Sequence, residues 1–93
     1  MFMKGMKKIM IKKIISNDSF DIIMADCRIK NVLLSNITNI KTSTISRYRN
    51  NQRNIGKQSF YKIYDALIEL KVSRRTVKEL KKEYENKWYK EIL

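Results

Sequence analysis

Apolar residues recur at intervals of three and four along most of the chain, the repeat that gathers them on one side of an α-helix. From Met6 to Ile15 the apolar positions are 6, 9, 10, 11, 14 and 15, broken by Lys7, Lys8, Lys12 and Lys13. The offsets favour a short amphipathic helix, and the Ile-rich run leaves a strand open as the alternative. Ser16, Asn17, Asp18 and Ser19 form a cap cluster, and Phe20, Ile23, Met24 and Cys27 give the following helix its inward face. Asn31 is expected to cap a helix reaching residues 36–38 whose core residue is Leu34. Asn39 falls where the chain must turn at positive φ, a conformation Asn tolerates better than any residue but Gly. Ile40 returns to the core, and residues 42–50 form the next helix with Ile45 and Tyr48 inward.

A fourth helix is predicted from about Ser59, with Phe60, Ile63, Tyr64, Leu67 and Ile68 on one broad face, Leu70 at its edge and Lys71 ending it. Ser73 is a good N-cap for the last helix, and Val72 and Val77 are placed as a hydrophobic staple across it. The apolar line then runs through Leu80, Tyr84, Trp88 and Ile92, with a mixed-charge face between them. Such a line either packs back on the domain or meets its copy. Tyr and Trp are favoured interface anchors, which tilts the reading toward a dimer contact through these residues.

A chain of 93 residues accommodates one core. No proline and only Gly5 and Gly56 leave few residues for tight hairpins, so the expected class is all-α, a compact helical bundle. Residues 1–15 read as an N-terminal extension, 16–71 as the bundle proper and 72–93 as the C-terminal helix.

Charge changes the picture most. Lys and Arg number 21 against 9 Asp and Glu, a net +12 that calls for a polyanionic partner. No acid lies between Asp26 and Asp65, whereas Arg28, Lys30, Lys41, Arg47, Arg49, Arg53, Lys57 and Lys62 do. The lone Cys27 cannot pair within the chain, and with no histidine a zinc site is not expected. The N-terminal apolar run is too short and too interrupted for a membrane span, and a cytoplasmic (or nuclear) protein without cofactor or metal is the expectation.

Leu34-Ser35, Asn39-Ile40 and residues 44–51 (TISRYRNN) resemble the helix-turn-helix core of phage Cro-type and lambda-type repressors, the XRE family. Asn39-Ile40-Lys41 stands where that pattern has a Gly-Val-Ser type of turn, and residues 50–53 replace its N-G-K-R. Ser35 stands where Ala is commonest. The resemblance spans roughly residues 19–70. It implies that Asn31 touches a phosphate, that Lys41, Thr42, Ser43 and Arg47 reach base edges, and that Asn50 and Arg53 grip the backbone after the helix. Arg49 is a further phosphate candidate on the flank. The chemistry suits these roles, since Arg reads guanine O6 and N7 bidentately and Ser and Thr serve several bases.

The leading functional expectation is therefore a sequence-specific regulator of double-stranded DNA, a small phage or plasmid type of repressor acting as a homodimer on an inverted repeat. The alternative is a phage-type anti-CRISPR, anti-repressor or antitoxin protein that binds a protein or nucleoprotein partner through its C-terminal helix on the same scaffold. No nucleophile–base pair and no glycine-rich phosphate loop is apparent, so an enzyme is not expected.

Overall fold

The computed structural model describes residues 16–92, with side chains through Trp88; the helix-or-strand expectation for residues 6–15 falls outside them. The fold is all-α. Among the described residues there are five helices and no strand: α1 (Asp18–Asp26), α2 (Asn31–Thr38), α3 (Thr42–Arg49), α4 (Lys57–Glu69) and α5 (Arg74–Ile92). Helix α2 packs on α3 and α4, α1 on α3, and α5 on α4.

The predicted periodicity marks the core. Phe20 and Met24 of α1, Leu34 of α2, Ile45 of α3, Phe60, Ile63 and Leu67 of α4, and Val77, Leu80 and Tyr84 of α5 are all buried in one cluster. Burying side chains of this size out of water is the main force holding short helices together, because isolated helices of eight or nine residues are unstable in water. Val72 and Val77, the expected staple residues, both belong to the same cluster.

With so little glycine, the chain turns by placing other residues in the left-handed region. Arg28 (φ 56°), Asn39 (φ 66°), Asn51 (φ 59°) and Lys71 (φ 71°) all lie there. Three of these close Schellman motifs. At the end of α1 the Ile29 N–H donates to the Met24 carbonyl (2.9 Å), at the end of α3 Gln52 to Arg47 (2.8 Å), and at the end of α4 Val72 to Leu67 (3.0 Å). In α1 and α4 the two residues so joined, Ile29 with Met24 and Val72 with Leu67, are also buried apolar pairs. That apolar contact is the usual companion of the motif and offsets the steric cost of a side chain at positive φ.

Four expectations are corrected. Cys27 is exposed, because it terminates α1 instead of continuing its inward face. Asn31 is not the cap of α2: extended Lys30 holds that position, and the Asn31 carboxamide accepts from Arg49 (2.8 Å). Helix α4 begins at Lys57, two residues earlier than expected, and its buried face centres on Phe60, Ile63, Ala66 and Leu67, leaving Ile68 exposed. Finally, the line Leu80, Tyr84 and Trp88 lies in the chain's own core, so these residues are not available as a dimer contact; the side chain of Ile92 is outside the described set.

The aromatic rings explain that last correction. The Phe60 ring stacks on Tyr84 at 4.7 Å between centroids and meets Trp88 edge-on at 5.5 Å. Both arrangements match the ring quadrupole and add to the gain from burial. A four-residue spacing on α5 thus finds its partner on α4 within one molecule.

Candidate nucleic-acid interface

The link between α2 and α3 is fixed by a local hydrogen-bond set. Buried Thr38 donates its hydroxyl to the Leu34 carbonyl (2.8 Å) and accepts from the Ile40 N–H (3.2 Å). Asn39, left-handed as expected, donates its N–H to the Ser35 carbonyl (2.8 Å). Ile40 packs against the core, and the chain re-enters a helix as the Lys41 carbonyl accepts from Ile45 (3.0 Å). Three residues, 39–41, therefore join α2 to α3.

Helix α3 is anchored by Ile45 and Tyr48, which are buried. Tyr48 is a core residue and not a stacking platform. The residues on the opposite side, Thr42, Ser43 and Arg47, are exposed, as are Lys41 before the helix and Asn50 and Arg53 after it. Spacings of three and four put Ser43, Ser46, Arg47 and Asn50 on one face of the helix. That face carries hydroxyls, an amide and a guanidinium, and no acid falls within residues 27–64 to oppose it.

Arg49 and Asn31, both expected at phosphates, are hydrogen-bonded to each other. The Arg49 Nε donates to Asp21 at 2.5 Å and its Nη1 to the Asn31 Oδ1 at 2.8 Å. This cluster links the first turn of α1, the first residue of α2 and the last residue of α3. Its half-buried guanidinium is already matched by a carboxylate, so Arg49 adds less positive potential to the face than its sequence position suggests.

Sequence reasoning missed the residue that holds the loop after α3. Asn17, expected in a cap cluster, holds the N-cap position of α1 but is fully buried and makes no side-chain cap bond there; Ser16 Oγ instead accepts from the Asp18 N–H at 3.2 Å. Its Nδ2 donates to the carbonyls of Tyr48 and Arg53, each at 3.0 Å, and its backbone N–H donates to the Asn51 Oδ1 at 2.6 Å. The Tyr84 hydroxyl of α5 donates to the Asn17 Oδ1. Burial, reinforced by Glu83 and Asp18, pushes the Tyr84 hydroxyl pKa well up, so it stays a proton donor at neutral pH. These pairs are separated by 31 to 67 residues, beyond the reach of any local pattern.

On another side, α2 and α4 border a groove of about 350 Å³ in which Lys62 lies with Asp65 and Glu69. Its mixed charge suits a polyanion less than the α3 face does. Among the described residues, no three His, Cys, Asp or Glu side chains gather to hold a metal ion, and no helix is long and apolar enough to cross a membrane. No family model, curated protein or solved structure matches the chain, so the reading of the α3 face rests on its own residues.

Proposed function

We propose that the chain binds double-stranded DNA, with α2 and α3 acting as a helix-turn-helix and α3 entering the major groove. One observation carries this reading: Lys41, Thr42, Ser43, Arg47, Asn50 and Arg53 are all exposed around one short helix whose other side is anchored in the core. An exposed helix bearing short hydroxyls and Arg fits the width of the major groove and its donor–acceptor pattern. Arg47 reads a base, Thr42 and Ser43 support it, and Asn50 and Arg53 hold phosphates. The role is that of a small transcriptional regulator of the Cro and lambda-repressor kind. A homodimer reading an inverted repeat would need a contact other than Leu80, Tyr84 and Trp88, because those side chains fill the monomer core.

Selection of bound sequences from random duplex DNA at two salt concentrations tests the reading. Enrichment of a short motif that persists at the higher salt supports a specific regulator. Binding without any enriched motif, lost on modest addition of salt, overturns it and leaves only non-specific charge attraction.

A further inference from the structure

We infer that Asn17 and Tyr84 are positioning residues for the loop that leaves α3, so that the C-terminal helix sets how firmly residues 50–53 hold a nucleic-acid backbone. The second half of this inference rests on the DNA reading above; the first half does not. Asn17 gathers four hydrogen bonds from three parts of the chain: the last turn of α3 at Tyr48, the loop at Asn51 and Arg53, and α5 at Tyr84. Within that loop Asn51 takes the left-handed conformation, φ 59°, which Asn adopts more readily than other side-chain-bearing residues. Asn51 is held from both sides, since its Nδ2 also donates to the Asp18 Oδ1 at 2.8 Å.

Helix α5 grips the same N-terminal turn at two more points. The Glu83 carboxylate accepts from the Ser19 hydroxyl at 2.8 Å, and the Lys87 Nζ donates to the Ser16 carbonyl at 2.8 Å. The inward side of the loop is thus fixed through Asn17 to α5, while Asn50 and Arg53 are exposed on its outward side. The Tyr48 and Arg53 carbonyls fix which way the Asn17 amide faces, and the Tyr84 hydroxyl completes the set. With the amide nitrogen donating to both carbonyls, Oδ1 is left to accept from the Tyr84 hydroxyl. Loss of the hydroxyl leaves Oδ1 buried without a donor, a cost that weakens the hub and loosens the loop it ties.

The test uses the full chain and the variant Tyr84→Phe, which keeps the ring stacked on Phe60. Amide hydrogen exchange is followed residue by residue, and binding to the duplex recovered by selection (or, if none is enriched, to a random-sequence duplex) is measured across salt at a temperature where both proteins are fully folded. Exchange at Asn51 and Gln52 should accelerate roughly tenfold while the amides of α4 are unchanged. Affinity should fall roughly tenfold, with a salt dependence shallower by about one phosphate contact, and adding Arg53→Ala should cost little more. Unchanged exchange at residues 50–53, or equal acceleration across the whole chain, overturns the positioning role. A full additive loss on combining the two substitutions overturns the claim that Tyr84 acts through the loop. Failure of the unmodified protein to bind duplex DNA overturns the DNA reading, and the exchange measurement then decides the positioning role by itself.

Discussion

Helix α3 buries Ile45 and Tyr48 and exposes Thr42, Ser43 and Arg47, whereas α5 sinks Val77, Leu80, Tyr84 and Trp88 into the core along successive turns. The two helices reach stability by different routes. Helix α5 is held by area: large rings and aliphatic groups packed on α4, a contribution that does not depend on fine geometry. Helix α3 buries too little to fix its own direction, and hydrogen bonds hold its ends. Thr38 and Asn39 fix the entry, Asn17 and Asn51 the exit, and Arg49 with Asp21 and Asn31 the flank. A helix that must leave one face open to a partner cannot use that face for packing, so polar ties take over.

The sharpest way to break this contrast is Phe60→Ala. Phe60 is fully buried and touches the rings of both Tyr84 and Trp88, so the substitution leaves a cavity at the α4–α5 seam. The expected loss is about 3–5 kcal/mol of unfolding free energy by urea titration, with the base preference of the remaining folded protein unchanged. A loss below about 1 kcal/mol would mean that area does not hold α5, and the comparison fails.

Next in size is the open face itself. Arg47→Ala should cost about 1–3 kcal/mol of discrimination at one base position while leaving the urea midpoint nearly unmoved. Arg53→Ala should weaken binding to all sequences alike and reduce the salt dependence by about one contact. Parallel selection experiments on the two variants compare them. Identical behaviour would show that the face does not divide into a reading and a gripping part.

These two regions were not equally legible in the sequence. The α5 line announced itself through the spacing of Leu80, Tyr84 and Trp88, because burial against a partner helix is a periodic property. What the spacing lacked was the identity of that partner: a stripe packed on α4 and a stripe packed on a second copy have the same period. For α3, the inward pair Ile45 and Tyr48, the left-handed Asn39 and the exposure of Arg47 and Arg53 were all readable, since each follows from local geometry. The ties that aim the helix were not readable. Asn17 looked like a helix cap because caps and buried amide hubs use the same residue type, and only the folded chain brings Tyr48, Arg53 and Tyr84 to it. Arg49 looked like a phosphate ligand because its carboxylate partner, Asp21, is 28 residues away.

Arg49 allows a finer test of the face. The half-exposed ion pair with Asp21 contributes little to stability, so Asp21→Asn should shift the unfolding free energy by no more than about 1 kcal/mol. The same change releases the guanidinium from its carboxylate. Duplex binding should then tighten, and its salt dependence should steepen by about 0.9 in logarithmic slope as one more phosphate is matched. Unchanged slope would place Arg49 away from the backbone path and confine it to joining α1, α2 and α3.

The smallest expected effect lies at high pH and concerns the Tyr84 hydroxyl, which joins the two regions through Asn17. Burial raises the pKa of the Tyr84 hydroxyl above its ordinary value, with Glu83 and Asp18 adding to the shift. The folded state therefore holds this proton more tightly than the unfolded chain, where tyrosine titrates near 10. The stabilisation is complete below that value and is lost as pH rises above it, because the unfolded chain releases a proton that the folded one keeps. The Tyr84 contribution should be flat from neutral pH to about 9, then fall by about 0.4 kcal/mol at pH 10 and by somewhat under 1 kcal/mol at about pH 10.5. Lysines and the other tyrosines titrate in the same range, so the difference between the unmodified protein and Tyr84→Phe is the quantity to follow, by urea midpoints at stepped pH. The gap between the two should be constant up to about pH 9 and then narrow. A gap that holds constant through pH 10.5 would mean that Tyr84 ionises alike in both states, and that its hydroxyl is not a buried donor to Asn17.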